Sequence, residues 1–146
     1  MTLSKLGRLR ELATAFREAI ERCDRKRLPL SFETFPCGSC GDATNLLGMF
    51  LIEQGAGAFR YICGERGTRW ASWHSHAWLE ADGVIIDITA DQFPEMTEKV
   101  VVSTQSEWHA TFEQNTQHKA DDLSGDESAR VRLAKAYRVI IENIQR

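Results

Sequence analysis

Residues 74–89 constrain the fold more than any other segment, because they predict a β-hairpin whose register follows from its turn. A first strand over 74–80 leads into a turn at Ala81-Asp82-Gly83, and residues 84–89 form the return strand. An Asp-Gly pair tolerates the positive φ angles that a tight two-residue turn needs. The chain is therefore expected to contain an antiparallel sheet.

Helical patterns lie on both sides of this hairpin. Apolar residues recur at steps of three and four over residues 4–22, and a second such pattern begins near Cys40 and is stopped by glycines. A third apolar face, over 133–144, follows Ser124-x-x-Glu127, which resembles a capping box. Helices before and after an antiparallel sheet are typical of the α+β class.

The remaining segments predict shorter elements. These are strands over 59–63 and 99–103, a short helix over 106–113 and a polar loop over 114–125. His109 and His118 stand in polar surroundings, so both are expected at the surface.

Composition limits the number of domains and the class of partner. A length of 146 residues, of which 42% are hydrophobic, fits a single domain over 1–146. The formal charge of −3 lacks the basic footprint of a nucleic-acid binder. The longest apolar runs are short, such as Val84 to Ile86, and the N-terminus does not read as a signal peptide. We therefore expect no membrane association and a cytoplasmic protein.

Cys40 is the strongest candidate nucleophile among the four cysteines. It stands at the predicted N-terminus of the second helix, where unpaired backbone N–H groups and the helix dipole favour a thiolate. Gly38 and Gly41 flank it and allow a substrate or another backbone to come close. Cys23 and Cys63 are expected to be small core fillers.

The predicted hairpin register supplies partners for such a nucleophile. It places His76 and Asp87 on one face as diagonal neighbours, together with Trp78. An aspartate among isoleucines should not be buried unpaired, and a histidine across the ladder is a ready partner. If Asp87 accepts a hydrogen bond from one imidazole nitrogen, the other nitrogen is free to take the thiol proton of Cys40. A nucleophile, a base and an orienting carboxylate are the parts of a catalytic triad.

Three short strings stand in a fixed order along the chain. They are Gly38-Ser39-Cys40-Gly41-Asp42-Ala43, Ser75-His76-Ala77-Trp78-Leu79-Glu80 and Ile86-Asp87-Ile88-Thr89. In this order they resemble the transglutaminase-like branch of the papain-like cysteine enzymes, over roughly residues 35–92. That branch carries a Cys at a helix start, a His-Ala-Trp strand and an Asp-Pro-Thr-like end to the next strand. Ile88 stands where the family usually has proline.

The resemblance implies a fold of the α+β class with a papain-like, transglutaminase-like core. N-terminal helices would pack on a small antiparallel sheet, and a C-terminal helix would follow. Residues 1–30 would supply an N-terminal helix and connector, residues 31–103 the catalytic core, and residues 104–146 a C-terminal helical region.

The resemblance also implies acyl transfer on an amide through a thioester on Cys40, with His76 and Asp87 completing the triad and with no cofactor. The substrate would be a protein or peptide, and the enzyme a peptidase, a glutamine deamidase or a transglutaminase. Trp73 and Trp78 crowd the histidine strand, where large aromatic rings either wall a substrate cleft or pack the sheet. A small domain leaves little room for an elaborate cleft, so a partner protein is also compatible.

Other functions remain open at this point. Cys37-x-x-Cys40 and His74-x-His76 together supply four ligands of the types that bind zinc tetrahedrally. The two cysteines also fit a redox pair, although the βαβ context of that motif is missing. A non-catalytic protein-interaction domain on the same fold is a further alternative.

Overall fold

The computed structural model describes residues 1–67, 75–123 and 126–144, and this part of the chain is a mixture of helices and strands. The helices are α1 (Leu3–Arg22), α2 (Cys40–Glu53), α3 (Glu107–Ala110) and α4 (Glu127–Glu142). The strands are β1 (Arg60–Glu65), β2 (Ser75–Ala81), β3 (Val84–Asp87), β4 (Val101–Ser103) and β5 (Glu113–Lys119). Short 3₁₀ turns lie at Arg25–Arg27, Leu30–Phe32 and Ala90–Gln92. The predicted α+β class is confirmed.

The strands form one sheet in the order β4-β3-β2-β1-β5, and each neighbouring pair is antiparallel. β2 and β3 are the predicted hairpin, in which Ala81 pairs with Val84 as the turn requires. Asp82 and Gly83 adopt φ angles of 51° and 77°. Both angles are positive, as in the tight turns that match the twist of a hairpin.

The loop predicted over 114–125 is wrong, because most of its first half belongs to β5. This strand pairs with β1 along the edge of the sheet, from Glu65–Glu113 to Arg60–Lys119. Its side chains are polar because an edge strand gains its stability from backbone pairing on one side and faces water on the other. The C-terminal region over 104–146 is therefore not only helical.

The two faces of the sheet are covered by different partners. On one face, helices α1, α2 and α4 share a core with Leu79 and Ile86 of the hairpin. On the other face lies an aromatic cluster, which consists of Ile62, Trp78, Phe93 and Phe112 with Trp108 packed against it. Leu79 and Trp78 are successive residues of β2 and point to opposite faces, as the pleat of a strand dictates.

The predicted first and second helices are confirmed, whereas the short helix predicted over 106–113 ends at Ala110 and is followed by β5. α2 begins at Cys40 and is followed by Gly55, which has a φ angle of 69° and is a usual end to a helix. The N-cap of α4 is Asp126, whose carboxylate accepts from the backbone N–H of Ala129 at 2.9 Å. The capping box was predicted with Ser124 as its first residue, and Ser124 lies outside the described residues. Within the described ranges, no helix has the length and apolar character needed to cross a membrane.

Helix α2 lies close to the sheet because of one glycine. A Cβ atom added to Gly48 would lie 2.2 Å from the Cβ of Ala120, which directly follows β5. Real Cβ atoms do not approach so closely, so only glycine allows α2 to sit at this depth. The position of Cys40, at the N-terminus of α2, depends on this contact.

Candidate functional site

The centre of the site is a buried hydrogen bond between His76 of β2 and Asp87 of β3. The imidazole Nε2 lies 2.7 Å from the carboxylate Oδ2, and His76 and Asp87 are 0% and 2% exposed. Their meeting follows from the hairpin, whose two-residue turn sets which residues are neighbours across the ladder. The predicted proximity of the His76 and Asp87 side chains is confirmed.

The Asp87 carboxylate has two further hydrogen-bond partners. The backbone N–H of Thr89 donates to Oδ1 at 2.9 Å. The second partner is His109, whose Nε2 lies 2.7 Å from Oδ2. Both carboxylate oxygens are therefore satisfied by N–H groups, which is how a buried carboxylate stays ionised.

The charges of this cluster reinforce one another. Burial alone would raise the pKa of Asp87, but the charge of His76 and the hydrogen bonds from His109 and His76 hold it well below its usual range. Burial disfavours the charged form of His76, yet the charge and hydrogen bond of Asp87, with contributions from Cys40, raise the pKa of His76 to about 9. A carboxylate and an imidazolium are therefore the favoured forms of this pair near neutral pH.

The expectation that His109 is a surface residue is wrong. His109 is 1% exposed, and its ring meets the rings of Trp78 and Trp108 edge to face, with centroids 4.9 and 4.8 Å apart. It is buried because the single turn of α3 presses Trp108 and Phe112 onto the sheet. The sequence signal was weak, because Trp108 and Phe112 are the only large apolar residues in a segment that is otherwise polar or small.

Cys40 is the first residue of α2 and is half-buried. Cys40 is among the groups that contribute, after Asp87, to the raised pKa of His76. Tyr61 and Cys63 lie on β1, and burial raises the pKa of both side chains. The charge of Cys40 contributes to both increases.

Gln92 is a site residue that the sequence analysis missed. Its side-chain nitrogen lies 3.1 Å from Nδ1 of His76, the ring nitrogen opposite to the one bonded by Asp87. It comes from the 3₁₀ turn at Ala90–Gln92, directly after the hairpin. No motif marks this position, because its role depends on where the chain turns after β3.

The other carboxylate near the hairpin serves a different partner. The Asp91 carboxylate accepts hydrogen bonds from both terminal nitrogens of Arg17, at 2.7 and 2.9 Å. Arg17 also donates to the backbone oxygen of Ile88 at 2.7 Å. Asp91 therefore ties α1 to the segment after the hairpin, while Asp87 faces the histidines.

The predicted substrate-binding residues have different positions. Trp78 is 0% exposed, and its ring N–H donates to Glu80 at 3.0 Å. The Trp78 ring packs against the His76 ring, with centroids 5.9 Å apart. Because the Trp78 ring is fully buried, it cannot contact a substrate. Gly38 is exposed with a φ angle of 79°, two residues before Cys40. Trp73 lies outside the described residues.

The alternative zinc ligands are only partly described. Cys37 is exposed and Cys40 is half-buried, while His74 lies outside the described residues. A second set of donors, His76, Asp87 and His109, has its ligand atoms within 4.8 Å of one another. Their contacts of 2.7 Å are those of direct N–H···O hydrogen bonds. Hydrogen bonding accounts for this cluster.

The cysteines outside this cluster differ in burial. Cys23 is 6% exposed, as expected of a core filler. Cys63 is only half-buried on β1, so the expectation of a core position is wrong for this residue. All four cysteines lie in the described part of the chain and are free thiols.

Comparison with protein-family models, with curated proteins and with solved structures gave no match to this chain. The geometry of the site is therefore the basis for any inference of function.

Proposed function

We propose that this protein is a cysteine-dependent acyl-transfer enzyme that acts on an amide through a thioester on Cys40. Its histidine is His76 and its orienting carboxylate is Asp87. The reaction is of the peptidase, glutamine deamidase or transglutaminase type. The observation that carries the proposal is the buried Asp87–His76 hydrogen bond of 2.7 Å. It is supported by a cysteine at the N-terminus of α2, which contributes to the raised pKa of His76.

The arrangement of hydrogen bonds assigns a role to each nitrogen of His76. Nε2 is bonded to Asp87, so Nδ1 is the nitrogen that can serve the thiol. Nδ1 also lies 3.1 Å from the side-chain amide of Gln92, which must turn its oxygen toward Nδ1 when that nitrogen carries a proton. The raised pKa of His76, to about 9, favours an imidazolium beside the sulfur. An imidazolium and the N-terminus of α2 both stabilise a thiolate, which is the nucleophilic form of cysteine.

Acylation then follows in two proton-balanced steps. The thiolate of Cys40 attacks the carbonyl carbon of the amide and forms a C–S bond, while the carbonyl becomes an oxyanion. As the C–N bond breaks, His76 donates its Nδ1 proton to the leaving nitrogen, which departs as an amine or ammonia. The backbone N–H of Cys40 is a candidate donor to the oxyanion.

Deacylation uses the same groups in reverse. Neutral His76 takes a proton at Nδ1 from water or an amine, which attacks the thioester carbon and releases the thiolate of Cys40. Water gives hydrolysis or deamidation, and an amine gives transamidation. The acceptor therefore decides the class of enzyme.

The fold also supports the finer part of the proposal, a transglutaminase-like core. The nucleophile begins a helix, the base lies on a following strand and the carboxylate lies on the next antiparallel strand. This order of elements is what the resemblance implies, and no part of it depends on the edge strand β5.

A cleft beside α2 offers room for part of a substrate. It has a volume of about 380 Å³, and Asp42, Asn45 and Tyr61 are among its lining residues. The phenol oxygen of Tyr61 lies 3.2 Å from where a Cβ of Gly41 would stand, next to Cys40. The buried side-chain oxygen of Asn45 has no hydrogen-bond partner among the described residues.

The rate of alkylation by iodoacetamide tests the proposal, with Cys37 as an internal control. Cys37 is exposed and Cys40 is half-buried, so exposure alone predicts that Cys37 reacts faster. The proposal predicts the reverse order at pH 6, by about 10-fold or more, because only Cys40 has an imidazolium partner. Peptide mapping by mass spectrometry measures both rates in one sample.

Two variants complete this test. Cys40→Ser should abolish fast labelling, and Cys37→Ser should leave it unchanged. Faster labelling of Cys37 than of Cys40 would refute the proposal. One equivalent of tightly bound zinc that either serine variant loses would instead favour the zinc-binding alternative. A screen of cell extract for peptide cleavage or for deamidation of glutamine then distinguishes the reaction types.

A further inference from the structure

One carboxylate oxygen in this protein serves two histidines. Oδ2 of Asp87 lies 2.7 Å from Nε2 of His76 and 2.7 Å from Nε2 of His109. The triad of the proposed function uses only the first of these contacts. We propose that His109 is a positioning residue for that reaction, which fixes the Asp87 carboxylate so that it orients His76. This inference rests on the proposed function.

The neighbours of His109 set which of its nitrogens carries the proton. The hydroxyl oxygen of Ser106 accepts from the backbone N–H of His109 at 3.2 Å, as the N-cap of α3. The same oxygen lies 2.6 Å from Nδ1 of His109. Because the hydroxyl proton is not used elsewhere in this arrangement, Ser106 donates it to Nδ1. His109 is left with its proton on Nε2, where Asp87 accepts it.

Three N–H groups then hold the Asp87 carboxylate from two directions. Thr89 holds Oδ1 at 2.9 Å, while His76 and His109 hold Oδ2. Rotation of the carboxylate about its bond to Cβ would break all three hydrogen bonds. Without His109, one lone pair of Oδ2 would face the aromatic cluster unpaired, and this costs free energy in a buried site. The carboxylate would turn to recover a partner and would no longer align His76.

The packing around His109 does not by itself require a histidine. Its ring meets Trp78 and Trp108 edge to face, and an apolar side chain would fill the same space without bringing polar atoms into the core. A buried histidine with both nitrogens bonded is explained by the needs of Asp87. Ser106 supports the same role from the cap of α3.

Nuclear magnetic resonance of ring nitrogens provides a test that does not depend on enzymatic turnover. Protein labelled with ¹⁵N-histidine should show two buried rings with a proton on Nε2, and both signals should change in Asp87→Asn. In His109→Leu, the titration of His76 should move to lower pH, because the turned carboxylate stabilises its imidazolium less. Among the described residues, the groups that face His76 and titrate or bear charge are Asp87 on β3, Cys40 on α2 and His109 on α3.

Alkylation of Cys40 measures the consequence for the reaction. His109→Leu should lower its rate at pH 7 by about 10- to 100-fold, the size of loss seen when a residue that orients a functional side chain is removed. His109→Gln keeps an N–H donor at about the reach of Nε2 and should restore most of the rate. In an Asp87→Asn background, His109→Leu should cause no further loss, because both changes act through one carboxylate.

Ile62→Val is the matched control for general loosening of the aromatic cluster. It removes buried volume from this cluster but no hydrogen bond, so it should lower the melting temperature and leave the titration of His76 in place. If His109→Leu does not fold, Ser106→Ala replaces it. That variant should release Nδ1 of His109, change the ¹⁵N signals of its ring and slow alkylation.

The failures of the two proposals are distinguishable. A folded His109→Leu variant in which His76 titrates as in the wild type and Cys40 is alkylated at the wild-type rate would overturn the positioning role. This conclusion would hold whether or not the wild-type protein catalyses acyl transfer. The same result in Ser106→Ala would overturn it if His109→Leu is unfolded. Slow alkylation of Cys40 in the wild type, combined with a shifted His76 titration in His109→Leu, would refute the acyl-transfer proposal alone.

Discussion

Asp87→Asn is the substitution that bears most directly on the site, because it changes one atom and keeps the shape of the side chain. Asp87 accepts from three N–H groups, those of Thr89, His76 and His109. An amide has only one oxygen, so its NH₂ group must face at least one of these donors. The structure therefore predicts both a lost charge and a donor–donor conflict inside a buried cluster.

The magnitude follows from the protonation of His76. Its pKa is raised from 6.5 to about 9, and at ~1.4 kcal/mol per unit this corresponds to roughly 3 kcal/mol of imidazolium stabilisation. At pH 7.5 an imidazole with a pKa of about 9 is ~97% protonated, whereas one with a pKa of 6.5 is ~9% protonated. The population of imidazolium beside Cys40 should therefore fall about 10-fold, and more where burial acts unopposed.

Turnover should fall further than alkylation does. Without the carboxylate, the imidazole is free to adopt the tautomer with its proton on the wrong nitrogen. The same substitution in a serine triad lowers turnover by about 10⁴-fold. For Asp87→Asn we expect about a 10- to 100-fold loss in alkylation of Cys40 at pH 6–7, and a larger loss in acyl transfer.

The assay is the rate of iodoacetamide labelling of Cys40 measured from pH 5 to pH 10. The wild type should label at a substantial rate already at acidic pH. Asp87→Asn should lose this acidic plateau and be labelled at a substantial rate only at alkaline pH. Asp82→Asn is the matched control, because it makes the same chemical change at an exposed turn position whose positive φ suits asparagine. If the two variants give the same profile as the wild type, the role assigned to Asp87 is refuted.

Three further outcomes are expected. Acyl transfer should fall as the pH rises through about 9, because His76 then loses the proton that it gives to the leaving group; a profile that stays flat to pH 10 contradicts this role. Gly48→Ala should lower the free energy of unfolding by about 1–2 kcal/mol in urea titrations, since its new Cβ would lie 2.2 Å from that of Ala120; an unchanged midpoint would show that α2 shifts at no cost. Asp91→Asn should cost about 3 kcal/mol of stability by breaking the ion pair with Arg17. The pH profile of Cys40 labelling should not change, and a shifted profile would contradict the assignment of Asp87, and not Asp91, to His76.

The hairpin could be predicted from the sequence because its information is local. Asp82-Gly83 fixes a two-residue turn, and the turn fixes which side chains are neighbours across β2 and β3. The meeting of His76 and Asp87 then follows from counting residues along two strands. The start of α2 at Cys40 was also predicted from a local signal, a helix pattern that begins at a glycine-flanked cysteine.

The parts that escaped prediction depend on contacts distant in sequence. β5 has no alternation of apolar residues, because its side chains face water and its backbone pairs with β1. A polar strand of this kind is not distinguishable from a loop by its pattern. His109 was missed for the same reason, since its polar neighbours hide the fact that α3 lies against the aromatic cluster.

The pH dependence of stability carries information on the same cluster. His76 binds its proton more tightly in the folded state, so this group contributes stability below a pH of about 6.5 and loses it as the pH rises through about 9. Asp87 has a lowered pKa, so its contribution is present above a pH of about 4 and is lost on acidification. Both effects come largely from one interaction, and their free energies must not be added. The protein should be most stable between these limits.

The proposed site combines two units that can meet only in the folded chain. The hairpin brings His76 and Asp87 together by itself, whereas the thiol of Cys40 arrives on α2, whose depth against the sheet is set at Gly48. A change that moves α2 should therefore separate the thiol from the imidazole without disturbing the imidazole and its carboxylate. Labelling of Cys40 reports the position of α2, and the ¹⁵N signals of His76 report the hairpin. Loss of the first with retention of the second would show that reactivity requires the helix to be seated, and that a paired histidine and aspartate alone do not activate the cysteine.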